Sequence, residues 1–201
     1  MSVQDGPGAA QGFAGRIFLA WTDLRGSFRA LLASDPGEGR LLSLAMFSGI
    51  LAFLGAMALL RLSPAAASTD EDTLIGQISA EFIGALFFRT MMLYGVAALA
   101  TLALRGLGHR HGWRDGRAAL FWSAAVTAPV LLLSDLIYIP VTQLDTTAAG
   151  FVQAVGPIAF GWAWSACLAE LHSFRHIWSV FVTLAGVTLL IVVLLSLVFA
   201  L

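Results

Sequence analysis

Imidazoles are the side chains of this sequence best suited to hold a transition metal, and all four fall in two short stretches. His109 and His111 form an H-x-H pair; His172 and His176 form an H-x-x-x-H pair whose members share a face if they lie on one continuing helix. Imidazoles at such spacings suit zinc, copper or nickel. Against that chemistry, the two pairs come from separate segments, and Arg105, Arg110, Arg114, Arg117 and Arg175 crowd them. A guanidinium is always charged and repels a cation. The expectation is therefore no bound metal and no cofactor, with His109, His111, His172 and His176 the only metal candidates. The lone Cys167 supplies neither a disulfide partner nor a cysteine cage.

Two other charged residues, Arg89 and Asp135, stand inside long apolar runs. A charge in lipid is costly and marks a functional site by default. The runs containing them are consecutive, so the two are expected to meet as an ion pair near one membrane face. Enzyme chemistry finds little support: the sequence has no nucleophile elbow, no glycine-rich phosphate loop and no H-E-x-x-H. Glu170 and His172 lie close together but beside no nucleophile. With a pI near 6.4 and arginines spread over several segments, nucleic-acid binding is not expected.

The elements that position these residues follow from composition. The 201 residues are 59% hydrophobic and 11% charged, whereas soluble globular chains are roughly 45–50% apolar and about 25% charged. A mean hydropathy of +0.86 leaves too little polar surface to face water. Lipid is the solvent for most of this chain. Five stretches reach the roughly 20 apolar residues that cross a bilayer: 41–62, 82–104, 118–139, 150–169 and 177–200. Gly150, Gly156, Pro157 and Gly161 interrupt the fourth, and Pro129 falls within the third, which predicts irregular helices there. The first run is too long for the apolar core of a signal peptide, despite the PAAAS at 64–68. The expected fold is all-α: an integral membrane bundle of five transmembrane helices with an N-terminal interfacial amphipathic helix.

Orientation follows from the arginines, since there is no lysine. Arg16, Arg25, Arg29 and Arg40 precede the first span; Arg105, Arg110, Arg114 and Arg117 separate the second from the third; Arg175 separates the fourth from the fifth. The alternate loops carry Asp70, Glu71, Asp72, Glu81 and Asp145, with Arg61 at one edge. The positive-inside rule then puts the N-terminus in the cytoplasm and the C-terminus outside. Trp113, Trp122, Trp178 and Tyr138 are expected at headgroup level. Residues 1–10 read as a disordered tail and 11–40 as a helix with its linker, ahead of the membrane domain 41–201. Phe13, Ile17, Trp21, Leu24, Phe28 and Leu31 recur at helical spacing, an apolar stripe suited to lying in the membrane surface.

The layout, together with GHRHGWRDGRAALFWSAAVTAPVLLLSDLI at 108–137, resembles the bacterial branch of the Yip family. These are small membrane proteins named for yeast members that interact with Ypt/Rab GTPases. Arg117, Ala118, Leu120, Phe121, Trp122 and Pro129 match the family's basic loop and the start of its Pro-containing span. The eukaryotic branch has D-L-Y-G-P before the first span; this chain has Asp23-Leu24-Arg25-Gly26-Ser27, without the Tyr and Pro, so Rab binding does not carry over. The resemblance implies membrane organisation or trafficking in eukaryotes and no settled biochemical activity in bacteria. With no enzyme constellation in the sequence, the expected function is that of a non-enzymatic bacterial inner-membrane protein that organises or binds protein or lipid partners. Trp21, Arg25, Arg29, Arg105, Arg110, Arg114 and Arg117 are the expected contacts. Expected partners are the lipid bilayer and a membrane or cytoplasmic protein, without nucleic acid; self-association is compatible with the small residues at four-residue spacing, Ser48/Ala52/Ala56 and Ala45/Gly49. The rival expectation is a small-solute or ion permease using the Arg89/Asp135 region.

Overall fold

The computed structural model describes residues 12–62, 71–106 and 112–200. All seven elements among these residues are helices: α1 Phe13–Ala20, α2 Leu24–Ala33, α3 Glu38–Leu62, α4 Glu71–Gly106, α5 Trp113–Leu144, α6 Thr146–Leu171 and α7 Ile177–Ala200. Helices α3 to α7 are each long and apolar enough to cross a membrane, and the chain is a multi-pass membrane protein. Residues 1–10, His109, Arg110 and His111 lie outside the described residues.

α5 is the central post. Every residue from Ala118 to Ala128 is buried, because α1, α2, α3, α4 and α6 all pack around that half of the helix. The opposite half, from Pro129 on, is mostly half-buried, with only Ser134 buried. The core therefore sits toward one end of the bundle, the end carrying α1, α2 and most of the arginines. α7 is the outrigger: its span is unburied, and it leans on α6 through Trp162, Trp178 and Phe181.

Local chemistry sets the breaks. The stripe from Phe13 to Leu31 forms two helices rather than one. Asp23 leaves helical geometry, and its carboxylate accepts the Gly26 N–H at 2.8 Å, starting α2 afresh. Asp145 alone separates α5 from α6, and its carboxylate caps α6 through the N–H groups of Thr147 and Ala148. The irregularity expected around Pro129 and Pro157 does not break either helix. Instead, irregularity appears in α4, where Gly84–Phe88 forms a π-helical turn. There the α4 backbone meets Gly49 of α3, and a Cβ on Gly49 would lie 2.6 Å from the Ala85 carbonyl oxygen. Only glycine permits that approach.

Candidate functional site

The site begins with the end of α6. His172 caps that helix, Ser173 adopts a left-handed conformation (φ 57°), and the Phe174 N–H returns to the Ala169 carbonyl at 2.8 Å. With the Ser173 N–H on Glu170 at 3.2 Å, this is a Schellman closure built on a serine. It presents the Glu170 carboxylate and the last carbonyls of α6 to α2. Arg25 Nε donates to Glu170 Oε2 at 2.9 Å, and its Nη2 donates to the Phe174 carbonyl at 3.1 Å. Arg29, one turn later, donates Nε to Glu170 Oε1 at 2.7 Å. One carboxylate thus holds two arginines, and Arg25 brings positive charge to a helix C-terminus, where the backbone dipole favours it. The bond to Glu170 and the carboxylate's charge push the pKa of Arg29 up from its ordinary value.

A second tie lies on the other side of α2. Asp35 turns the chain left-handed (φ 43°) before Pro36. Arg114, from the first turn of α5, grips that corner: Nε donates to the Pro36 carbonyl at 2.8 Å, Nη2 to the Asp35 carbonyl at 3.2 Å, and Nη1 pairs with the Asp35 carboxylate at 3.0 Å. Arg117 pairs with Glu38 at the start of α3. Two indoles complete the attachment. Trp21 Nε1 donates to the Val126 carbonyl at 3.3 Å, and Trp122 Nε1 to Ser27 Oγ at 3.2 Å. Ile17, Ala20, Phe28 and Leu31 fill the seam.

The arginine-rich end is thus a built structure, and four of its arginines (Arg25, Arg29, Arg114 and Arg117) are paired with carboxylates of the same chain. The chain matches no family model, no curated protein and no solved structure.

The expected contact residues are placed as follows. Trp21, Arg25, Arg29, Arg114 and Arg117 all find partners within the chain, and Arg105 stacks over Trp113 at 4.8 Å. Trp122, expected at headgroup level, is instead 2% exposed in the core. A cleft of about 310 Å³ remains open between Arg29, Asp35, Arg114, Asp115 and Glu170.

The intramembrane charges are not brought together. Thr90 Oγ1 bonds Met46 Sδ, Ala85 faces Gly49, and Phe82 meets Phe53, so α4 runs antiparallel to α3 in a fixed register. That places Arg89 near the level of Met46, whereas Asp135 packs against Gly55. The two levels differ by about nine residues of helix, roughly 14 Å. No ion pair joins them among the described residues. Pairing was expected from the order of the spans, but α3 sets the vertical register of both partners. Arg89 is half-buried beside the π-helical turn, and its Nε lacks a hydrogen-bond partner.

His172 and His176 do not share a helix face, because α6 ends at Leu171 and α7 begins at Ile177. Among the described residues no three metal-ligating side chains converge. Glu170, singled out in the sequence only for its nearness to His172, holds Arg25 and Arg29, while Asp35 and Glu38 hold Arg114 and Arg117 without having been expected to. Their signal was an acidic side chain on the arginine-rich side, where the positive-inside pattern attends only to the arginines.

Proposed function

We propose that this chain is a non-enzymatic, Yip-type protein of a bacterial inner (cytoplasmic) membrane, with its N-terminus in the cytoplasm and its C-terminus outside. It organises or binds protein or lipid partners through the end at which α1 and α2 dock. One observation carries this reading: α1 and α2 are latched to the bundle by Glu170, Asp35 and two indole donors, yet keep an outward face. Arg29 on α2 is 70% exposed and Phe18 on α1 is 69% exposed. Exposed charge and exposed apolar side chains on docked helices at a membrane boundary suit recognition of a partner lying at the same boundary. The test is isolation of the protein in native-membrane nanodiscs, with and without residues 13–33, followed by identification of what accompanies it. The reading expects a discrete partner that is lost with the deletion. If the accompanying proteins and lipids are the same in both, the two helices are packing elements only.

The permease reading retains one supporting observation, the unpartnered Arg89 Nε beside the π-helical turn, a local geometry frequent at functional sites. Solute or ion flux in proteoliposomes that Arg89→Leu abolishes would favour it over partner binding.

A further inference from the structure

Beside the latch, between α1, α2, α3 and α5, lies a groove of about 290 Å³ whose chemistry differs from that of the neighbouring cleft. Phe13, Leu31, Leu44 and Trp122 form its walls, and Arg16, Arg40 and Ser43 its polar rim. The cleft near Glu170 sets two arginines against three carboxylates. This groove has two arginines and no carboxylate among its lining residues. Arg16 makes no ion pair among the described residues, and Arg40 only donates to Ser34 Oγ at 2.8 Å. An unopposed pair of guanidiniums over an apolar floor is complementary to an anionic amphiphile.

Position narrows the occupant. Arg40 immediately precedes the apolar run that begins at Leu41, which sets the rim at headgroup depth. Below it, Phe13 meets Phe47 edge-on with centroids 5.0 Å apart, extending the apolar wall one turn deeper along α3. We propose that the groove binds one anionic phospholipid of the surrounding leaflet, its headgroup phosphate between Arg16 and Arg40 and its acyl chain along Leu44 and Phe47. This rests on the reading above that the arginine-rich end faces the cytoplasmic leaflet and recognises partners there.

The experiment is native mass spectrometry of the purified full chain titrated with phosphatidylglycerol, phosphatidylcholine or inorganic phosphate. Tight binding of phosphatidylglycerol over phosphatidylcholine, without a response to inorganic phosphate, is expected. Each basic residue near a membrane surface adds about a factor of five in affinity for anionic lipid, so Arg16→Gln/Arg40→Gln should weaken binding about 30-fold. Arg16→Lys/Arg40→Lys should keep most of the preference, and Arg175→Gln on the same end should leave it unchanged. Equal binding of both lipids by the wild-type chain, a preference indifferent to the Gln pair, or equal competition by inorganic phosphate would overturn the proposal. So would a dimer whose formation excludes lipid, since a second copy would then be the occupant. The wild-type lipid preference decides the matter even if a variant fails to fold. No protein partner takes part, so this result stands apart from the nanodisc deletion test of the broader reading.

Discussion

Glu170→Ala should undo the tie between α2 and the end of α6. The carboxylate is 13% exposed and takes Arg25 at 2.9 Å and Arg29 at 2.7 Å. Hydrogen bonds to charged groups contribute about 1.5–3 kcal/mol each when partly buried. Arg25, 30% exposed, belongs to that class. Arg29, 70% exposed, is in solvent and adds little. Arg25 would still hold the Phe174 carbonyl, so its guanidinium is not orphaned by the change. The loss expected for Glu170→Ala is therefore about 2 kcal/mol, near the low end of the range. The decisive assay is a double-mutant cycle of Arg25→Ala with Glu170→Ala, measured by unfolding in mixed micelles and followed by tryptophan emission. A coupling energy of about 1–2 kcal/mol is expected, since both groups share one partly buried bond. The matching cycle with Arg29→Ala should show weaker coupling that disappears at high salt. Strictly additive losses for Arg25 and Glu170, or a stronger coupling for Arg29, would refute the assignment of Arg25 as the main latch.

Gly49→Ala should lower stability by about 1–3 kcal/mol, because the Ala85 carbonyl it meets is backbone and yields poorly; unchanged unfolding would show that α3 and α4 separate freely there. Ser173→Gly should raise stability by about 1 kcal/mol, since a left-handed conformation strains any residue with a Cβ; a lower unfolding midpoint would contradict the closure described for α6. Arg89→Leu and Asp135→Leu should combine additively within about 0.5 kcal/mol, as residues at different levels of the bundle do. Recovery of stability in the double mutant would restore the ion pair that the register of α3 and α4 denies.

The five spans were legible because hydropathy is collective: some twenty residues vote, and no single one decides. The same averaging hid the helix ends. α4 was read as starting near residue 82 but starts at Glu71, since hydropathy reports lipid and a polar stretch such as EDTLIGQISAE can continue a helix beyond it. The stripe from Phe13 to Leu31, expected to lie in the membrane surface, instead buries Ile17, Phe28 and Leu31 against the bundle and leaves Phe13 and Trp21 exposed; its break depends on Asp23 preferring to cap. The arginines were correctly grouped by segment, yet their partners were invisible. Arg25 and Glu170 are 145 residues apart, and only the docking of α2 on α6 makes them neighbours. The Arg89–Asp135 expectation failed for a related reason: chain order gives adjacency of helices, whereas vertical register is set by contacts such as Gly49 on Ala85.

The latched helices are proposed to form the face that meets a partner. A photoreactive amino acid placed at Ala30, exposed on α2 one residue beyond Arg29, reads that face in intact membranes. The same group at Leu189, 65% exposed on α7, reports the lipid side. A discrete crosslinked partner at Ala30, absent at Leu189 and lost on Glu170→Ala, is the predicted result. Identical capture at both positions, or capture at Ala30 that survives loss of Glu170, would contradict it.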